Sequence, residues 1–362
     1  MKGRHTLCIP LCLLLLLFST TLHAQVYKMF VGTYTSNSES EGVYVYNFDE
    51  VSGEAVLHKT IQMSNPSFLA RRGDVLYAVN EDSEGMVTVF NLKDDKVVSH
   101  VPTKGAHPCH ISLSPKDPIA VVSNYSSGSL TLLSLNEDGS INKIDDLIKF
   151  NGSSVNKSRQ KQSHIHSAFF TKDGNKVYVS DLGADLIYIF AIERRFGEFK
   201  FHKVGEIKTK LGGGPRHLTF SKDEKMLYSV LELTGEIEVF QLKGGKWMSK
   251  QILPMYPNNF KGEQGGADIK IDNQSKYIYA TNRGTANLIY QYKITNTGIL
   301  KTKSYSSVQG DSPRNLNISP SGKFILLSNQ KSNGVNIFDN KTPMSNKRYF
   351  NLKIFKPVCV IF

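Results

Sequence analysis

The stretch from Gly214 to Leu242 reads GPRHLTFSKDEKMLYSVLELTGEIEVFQL. It starts on a Gly-Pro pair, runs through a short apolar segment, breaks at Ser-Lys-Asp-Glu-Lys and resumes as MLYSVL. A second break at Glu-Leu-Thr-Gly leads into EIEVFQL, where apolar and polar residues alternate. Apolar runs of this length, bounded by Gly, Pro, Asp and Ser, predict three β-strands in series. Ser312 to Phe338 (SPRNLNISPSGKFILLSNQKSNGVNIF) follows the same plan without a gap.

Four more stretches repeat it, starting at Asn65, His107, Ser163 and Gly265. A looser fourth strand follows, as in KWMSKQIL (Lys246–Leu253). The starts fall near residues 66, 108, 165, 215, 266 and 313, a period of about 42 to 57 residues. Four-stranded units at that period predict an all-β propeller. These make six units. The seventh is split: FVGTYTSNSESEGVYVYNF (Phe30–Phe48) supplies the second and third strands but has no strand before it. KPVCVIF (Lys356–Phe362) matches the missing first strand. The expectation is a seven-bladed propeller with four-stranded blades, its ring closed by the C-terminal strand pairing with the N-terminal blade and leaving no open edge there.

The chain of 362 residues begins MKGRHTLCIPLCLLLLLFSTTLHAQ. Lys2 and Arg4, an apolar run from Leu7 to Phe18, and Leu22-His23-Ala24 form the three parts of an export signal cut after Ala24. A retained N-terminal anchor is the alternative. Residues 1–24 are thus read as a signal peptide and residues 25–362 as a single propeller domain, periplasmic or secreted, with no stable membrane insertion after cleavage. Formal charge is +12 over the whole chain. It drops to about +10 without Lys2 and Arg4, which suits an anionic ligand. The lysines are scattered and no basic-aromatic cluster appears, so no nucleic-acid partner is expected. Of four cysteines, Cys8 and Cys12 leave with the signal. Cys109 and Cys359 sit inside strand patterns and read as buried thiols rather than a disulfide framework. A monomer is expected.

In a propeller, the start of each inner strand and the end of the second strand reach the same rim of the central channel. Two columns follow from the repeats. One reads Ser67, Cys109, His166, Arg216, Ala267, Arg314, Val358; the other reads Tyr34, Glu81, Tyr125, Leu182, Glu232, Arg283, Gln330. Three Arg, two Glu, one His and two Tyr in equivalent places converge on one channel mouth, because equivalent positions in each blade face the same way. Strict alternation turns His110 and His217, one position later, away from the channel, as structural hydrogen-bonding groups. His164 reads as a loop residue. Gly212 to Gly214 let the backbone approach the mouth. Two long connections, Asn151–Ser167 and Met255–Asp268, hang over the same rim. Lys157, Arg159 and Lys161 on the first are candidates to steer an anion into the channel.

The motifs FVGTYTS, GAHPCHISLSP, VVSNYSSGS, SHIHSAFFTKDG, VYVSDLGAD, GGGPRHLTFS, YATNRGTANLI and the final PVCVIF, in this order, resemble the seven-bladed propeller lactonase family. That family holds bacterial 6-phosphogluconolactonases and fungal carboxy-muconate lactonizing enzymes. The resemblance implies a hydrolase opening a sugar-acid lactone, with active-site residues at His166, Arg216, Glu232 and Arg283, all four in the columns above. Ile165 stands where the family often has Pro, and Leu231 where it often has Asn. On this reading His166 is general base, or acid on the leaving oxygen, with Glu232 as competing base or orienting partner. Arg216 and Arg283 hold a carboxylate or phosphate and polarise the carbonyl. Tyr34, Glu81, Tyr125, Arg314 and Gln330 contact the substrate, a small anionic lactone. No cofactor and no metal are expected, since a cationic rim repels a metal ion. A muconate-type cycloisomerase and a non-catalytic exported binding propeller are the alternatives.

Overall fold

Each repeated unit folds into a four-stranded antiparallel sheet, and seven such sheets make the ring. The computed structural model describes residues 25–340 and 350–362; the expected signal peptide, residues 1–24, lies outside the described residues. In blade 5, for example, the strands are Pro215–Phe220, Met226–Leu231, Glu236–Lys243 and Lys246–Pro254, from the channel outward. The second strand is buried throughout, whereas the outermost alternates between exposed and half-buried. That gradient explains the sequence pattern: inner strands are covered on both faces by neighbouring blades and read as continuous apolar runs.

The core lies between blades. Met226, Tyr228, Val230, Ile237 and Val239 of blade 5 meet Ile269, Ile278, Ala280, Tyr290 and Tyr292 of blade 6 in one cluster. Each fully buried aliphatic or aromatic side chain of this kind contributes about 1.5–3 kcal/mol. The ring closes as expected. Pro357–Ile361 pairs antiparallel with Val26–Thr33, with Phe30 opposite Ile361 and Val31 opposite Val360. Gly32 permits the junction, because a Cβ there would lie 2.3 Å from the Pro66 carbonyl oxygen of blade 2. Cys109 and Cys359 are both buried and free. No helix among the described residues is long and apolar enough to cross a membrane.

Two devices recur in the blades and shape the channel mouth. First, the residue after each second strand donates its backbone N–H to the carbonyl just before the inner strand's opening residue. The bonds run Tyr34 to Lys356, Glu81 to Asn65, Tyr125 to His107, Leu182 to His164, Glu232 to Gly214, Arg283 to Gly265 and Gln330 to Ser312, at 2.7–3.0 Å. Five of those acceptors have positive φ: Asn65, His107, Gly214, Ser312 and Lys356. Second, the register slips at the start of each inner strand from blade 2 to blade 7, as between Pro215 and Leu218. Such a bulge re-aims the side chains beside it.

Candidate active site

These two devices bring the second column to one end of the channel, around a cavity of about 610 Å³. Tyr34, Glu81, Tyr125, Glu232, Arg283 and Gln330 line it, together with His166 and Arg314 from the first column. Arg216 does not. It is 2% exposed, with Nε donating to Glu232 at 3.1 Å and Nη1 donating to the Ala267 carbonyl at 2.5 Å. The expectation that Arg216 grips an anion directly is therefore corrected: its guanidinium stands behind Glu232 and is already engaged.

Glu232 is the hub. Oε1 accepts from Arg159 at 2.7 Å, and Oε2 accepts from Arg216 and lies 2.9 Å from Arg283 Nη2. Burial alone would push this carboxyl up, but Arg283, Arg216 and Arg159 outweigh it and hold it down at about 2. A carboxylate so stabilised is a weak proton acceptor near neutrality. Burial also lowers Arg216, to about 10, aided by Arg283 and Arg314.

His166 is buried but forms part of the cavity wall, with Nε2 4.0 Å from Glu232 Oε2. Burial, and then Arg216, His217, Arg314 and Arg283, hold its pKa well below the usual imidazole value. The ring is thus neutral at physiological pH. Its Nδ1 is enclosed and has no hydrogen-bond partner. The Tyr125 ring meets His166 edge-on at 5.6 Å and stacks on His164 at 4.5 Å. His164 precedes its strand, as expected of a loop residue.

Across the mouth, Tyr34 donates its hydroxyl to Glu81 at 2.8 Å, and the Arg314 guanidinium lies 5.4 Å from the Tyr34 ring centre. Arg314 meets Glu81 only at 3.9 Å, which leaves it the least committed arginine of the wall. Both long connections reach the cavity, the first through Asn156 and Arg159 and the second through Gln264 and Gly265. Arg159, expected only as a candidate steering charge, also donates to the Tyr125 hydroxyl at 3.1 Å. Its loop is tied down by buried Asp185, which accepts from Ser154 Oγ, Gln160 Nε2 and the backbone N–H groups of Gly212 and Gly214 at 2.5–2.7 Å. Gly212 and Gly214 both have positive φ, so glycine is what aims those two N–H groups. Arg159 and Asn156 have no counterpart in the other blades, so no column pointed to their contacts. Lys331, also in the wall, follows a column member directly.

Beneath this layer lies a second one that strict alternation misplaced. His217 of blade 5 touches Phe68 of blade 2 at 5.8 Å, His110 of blade 3 at 5.5 Å and His166 of blade 4 at 5.4 Å, centroid to centroid. Rings from blades 2 and 5 can meet only across the axis, so His110 and His217 face the channel. The bulge at the start of each inner strand is the reason: it turns two consecutive residues toward the axis.

Fold and site together define a β-propeller with a cationic channel mouth. The family model described as Lactonase, 7-bladed beta-propeller matches residues 28–362, and the chain belongs to that family. A 6-phosphogluconolactonase of Formosa agariphila is 34% identical over 327 residues, covering 86% of this chain and 91% of the relative. A 6-phosphogluconolactonase of Bacillus subtilis is 26% identical over 348 residues, covering 93% and 98%. Among solved structures, the periplasmic gluconolactonase of Pseudomonas aeruginosa superposes with a TM-score of 0.84 at 28% identity, covering 93% of this chain and 98% of that one.

Proposed function

We propose that the protein hydrolyses an anionic sugar-acid lactone outside the cytoplasm, the ring opening at the channel mouth. The observation that carries this reading is the pairing of a neutral, buried imidazole with an excess of guanidinium groups around one cavity. The similarity to 6-phosphogluconolactonases and to a periplasmic gluconolactonase points the same way, as does the apolar N-terminal run.

Arg314 and the free edge of Arg283 are the groups to hold the substrate's anion and polarise its carbonyl. Water adds to the carbonyl carbon while His166 takes its proton, leaving a tetrahedral alkoxide beside a guanidinium. The alkoxide then collapses, the ring C–O bond breaks, and His166 returns the proton to the ring oxygen, giving the hydroxy acid. Glu232 serves as the counter-charge for the imidazolium formed in between, not as the base, since three arginines already hold its charge. An incoming anion offsets those arginines and makes His166 easier to protonate, so substrate binding itself prepares the base.

The test is a hydrolysis panel on the chain from Gln25 onward, with δ-gluconolactone, 6-phosphogluconolactone and a carboxy-muconolactone, with and without EDTA. Hydrolysis of an aldonolactone above its spontaneous rate, unchanged by EDTA, is expected. Inactivity on all three, with retained binding of the sugar acid, would favour a binding propeller. Loss of activity in EDTA with recovery on adding calcium would overturn the mechanism.

A further inference from the structure

Three imidazole nitrogens at the channel axis are enclosed and unpartnered: His166 Nδ1, His217 Nε2 and His110 Nε2. Such groups are uncommon, and three on rings about 5.5 Å apart call for one explanation. Their tautomers can be worked out from the bonds around them. Asp268 Oδ1 lies 2.7 Å from His217 Nδ1 and accepts from the Ile269 backbone N–H at 2.8 Å. Asp268 Oδ2 accepts from Asn315 Nδ2 at 2.6 Å and from the Leu316 N–H at 3.1 Å. Three of its four partners are donors, and despite burial Lys270 and His217 hold its carboxyl below the usual range, so Asp268 is a carboxylate and His217 carries its proton on Nδ1 to donate to it. The Nε2 of His217 is then an acceptor. That acceptor sits one ring away from His166, whose Nδ1 lacks a partner.

We infer that Asp268 and His217 are positioning residues for His166: Asp268 fixes the His217 tautomer, and the His217 Nε2 lone pair, through one enclosed water that it orients, holds the His166 proton on Nδ1. His166 Nε2, the nitrogen nearer Glu232, is thereby left with its lone pair toward the cavity. This is the tautomer a base at that mouth requires, and a third group orienting the base is the usual logic of such arrangements. The inference rests on His166 acting as the base. His110 fits the same order. Its Nδ1 accepts from the Ala168 N–H at 3.4 Å, which leaves Nε2–H as a donor; the shared water would accept from it and from His166 Nδ1–H while donating to His217 Nε2.

Asp268→Asn tests this sharply, because the amide introduces an N–H pair among groups that now all donate. The Leu316 and Ile269 N–H groups cannot become acceptors, and Asn315 becomes one only by turning its Oδ1 away from the Val360 N–H it accepts from at 2.8 Å. His217 can, by moving its proton to Nε2; the N–H groups of His217 and His110 then fill both lone pairs of the water, which must donate to His166 Nδ1 and leave the His166 proton on Nε2. Side-chain ¹⁵N spectra of histidine-labelled protein near pH 7.5 should show His166 as the Nδ1–H tautomer in the parent and as Nε2–H in Asp268→Asn. The kcat for an aldonolactone should fall at least about a hundredfold, with KM little changed. A parent His166 protonated on Nε2, or an Asp268→Asn protein with unchanged tautomer and rate, overturns the inference. If Asp268→Asn does not fold, His217→Phe carries the test. It keeps a ring against Phe68 and Phe169 but removes the acceptor, so the fixed His166 tautomer and at least about a hundredfold in kcat should be lost. Full activity in that variant counts against positioning. A parent inactive on every lactone would refute the proposed function alone, since the spectra need no substrate and still support or overturn the positioning.

Discussion

At Glu232 one carboxylate meets three guanidinium groups, and the balance of charge there sets what each neighbour can do. Removing Arg216 leaves a void and one fewer counter-charge, while Arg159 and Arg283 remain. Arg216→Ala should therefore cost about 2–4 kcal/mol of stability by urea unfolding as well as reduce kcat/KM. A variant of parental stability would show that the buried pair contributes nothing. His110, His166 and His217 make a second prediction. All three have folded pKa values below that of free imidazole, with His217 lowered to about 4, chiefly by burial. Above about pH 6.5 both states are neutral and the histidines add no pH dependence. Below it the unfolded chain binds protons that the folded chain refuses, and stability falls by up to about 1.4 kcal/mol per pH unit for each group. Glu232 extends the loss lower, its contribution being present above about pH 4.3 and disappearing as pH drops toward 2. Urea midpoints should thus decline from pH 7 to pH 5. A flat profile would mean that these rings are protonated in the fold.

At the scale of the strand and loop, the structure bears out the split blade. Deleting Lys356 to Phe362 removes the inner strand of blade 1 and bares the edge of Val26–Thr33. The melting temperature should drop by at least about 10 °C, and a loss of only about a degree or two would contradict ring closure. Asp185 plays a comparable part for the Asn151–Ser167 connection. Asp185→Ala unties two backbone N–H groups and two side chains, so a loss of about 3–5 kcal/mol is expected, with weaker substrate binding as Arg159 loosens. Arg159 must also be separated from Lys157 and Lys161 when steering is tested. Lys157→Ala/Lys161→Ala should slow a phosphorylated lactone more than a neutral one, with added salt shrinking the gap, whereas Arg159→Ala should impair both. What could be read from the sequence here followed from repetition. The column holding Glu232, Arg283 and Gln330 was legible because each blade repeats one backbone bond. The bulges left no mark in the apolar pattern, so His110 and His217 were turned the wrong way. Arg159 lies in an insertion without a repeat, and the burial of Arg216 depends on a carbonyl of the next blade.

On the scale of the whole ring, closure is what makes the site. Residues as far apart in sequence as Tyr34 and Gln330 line one mouth because seven equivalent strand ends converge on one axis. His110, His217 and Phe68 pack against one another in the channel beneath His166. This convergence sets four arginines and two glutamates close to one another, and it leaves His166 as the neutral group next to the cationic excess. The central claim is that this imidazole activates water on an anionic lactone. The most direct measurement is the rate of 6-phosphogluconolactone hydrolysis near pH 7.5, corrected for the spontaneous reaction, by the parent chain from Gln25 onward and by His166→Asn, each shown to be folded. The parent rate should lie well above background, with a fall of at least about a hundredfold in kcat/KM on substitution. Equal rates for the two proteins would contradict the claim.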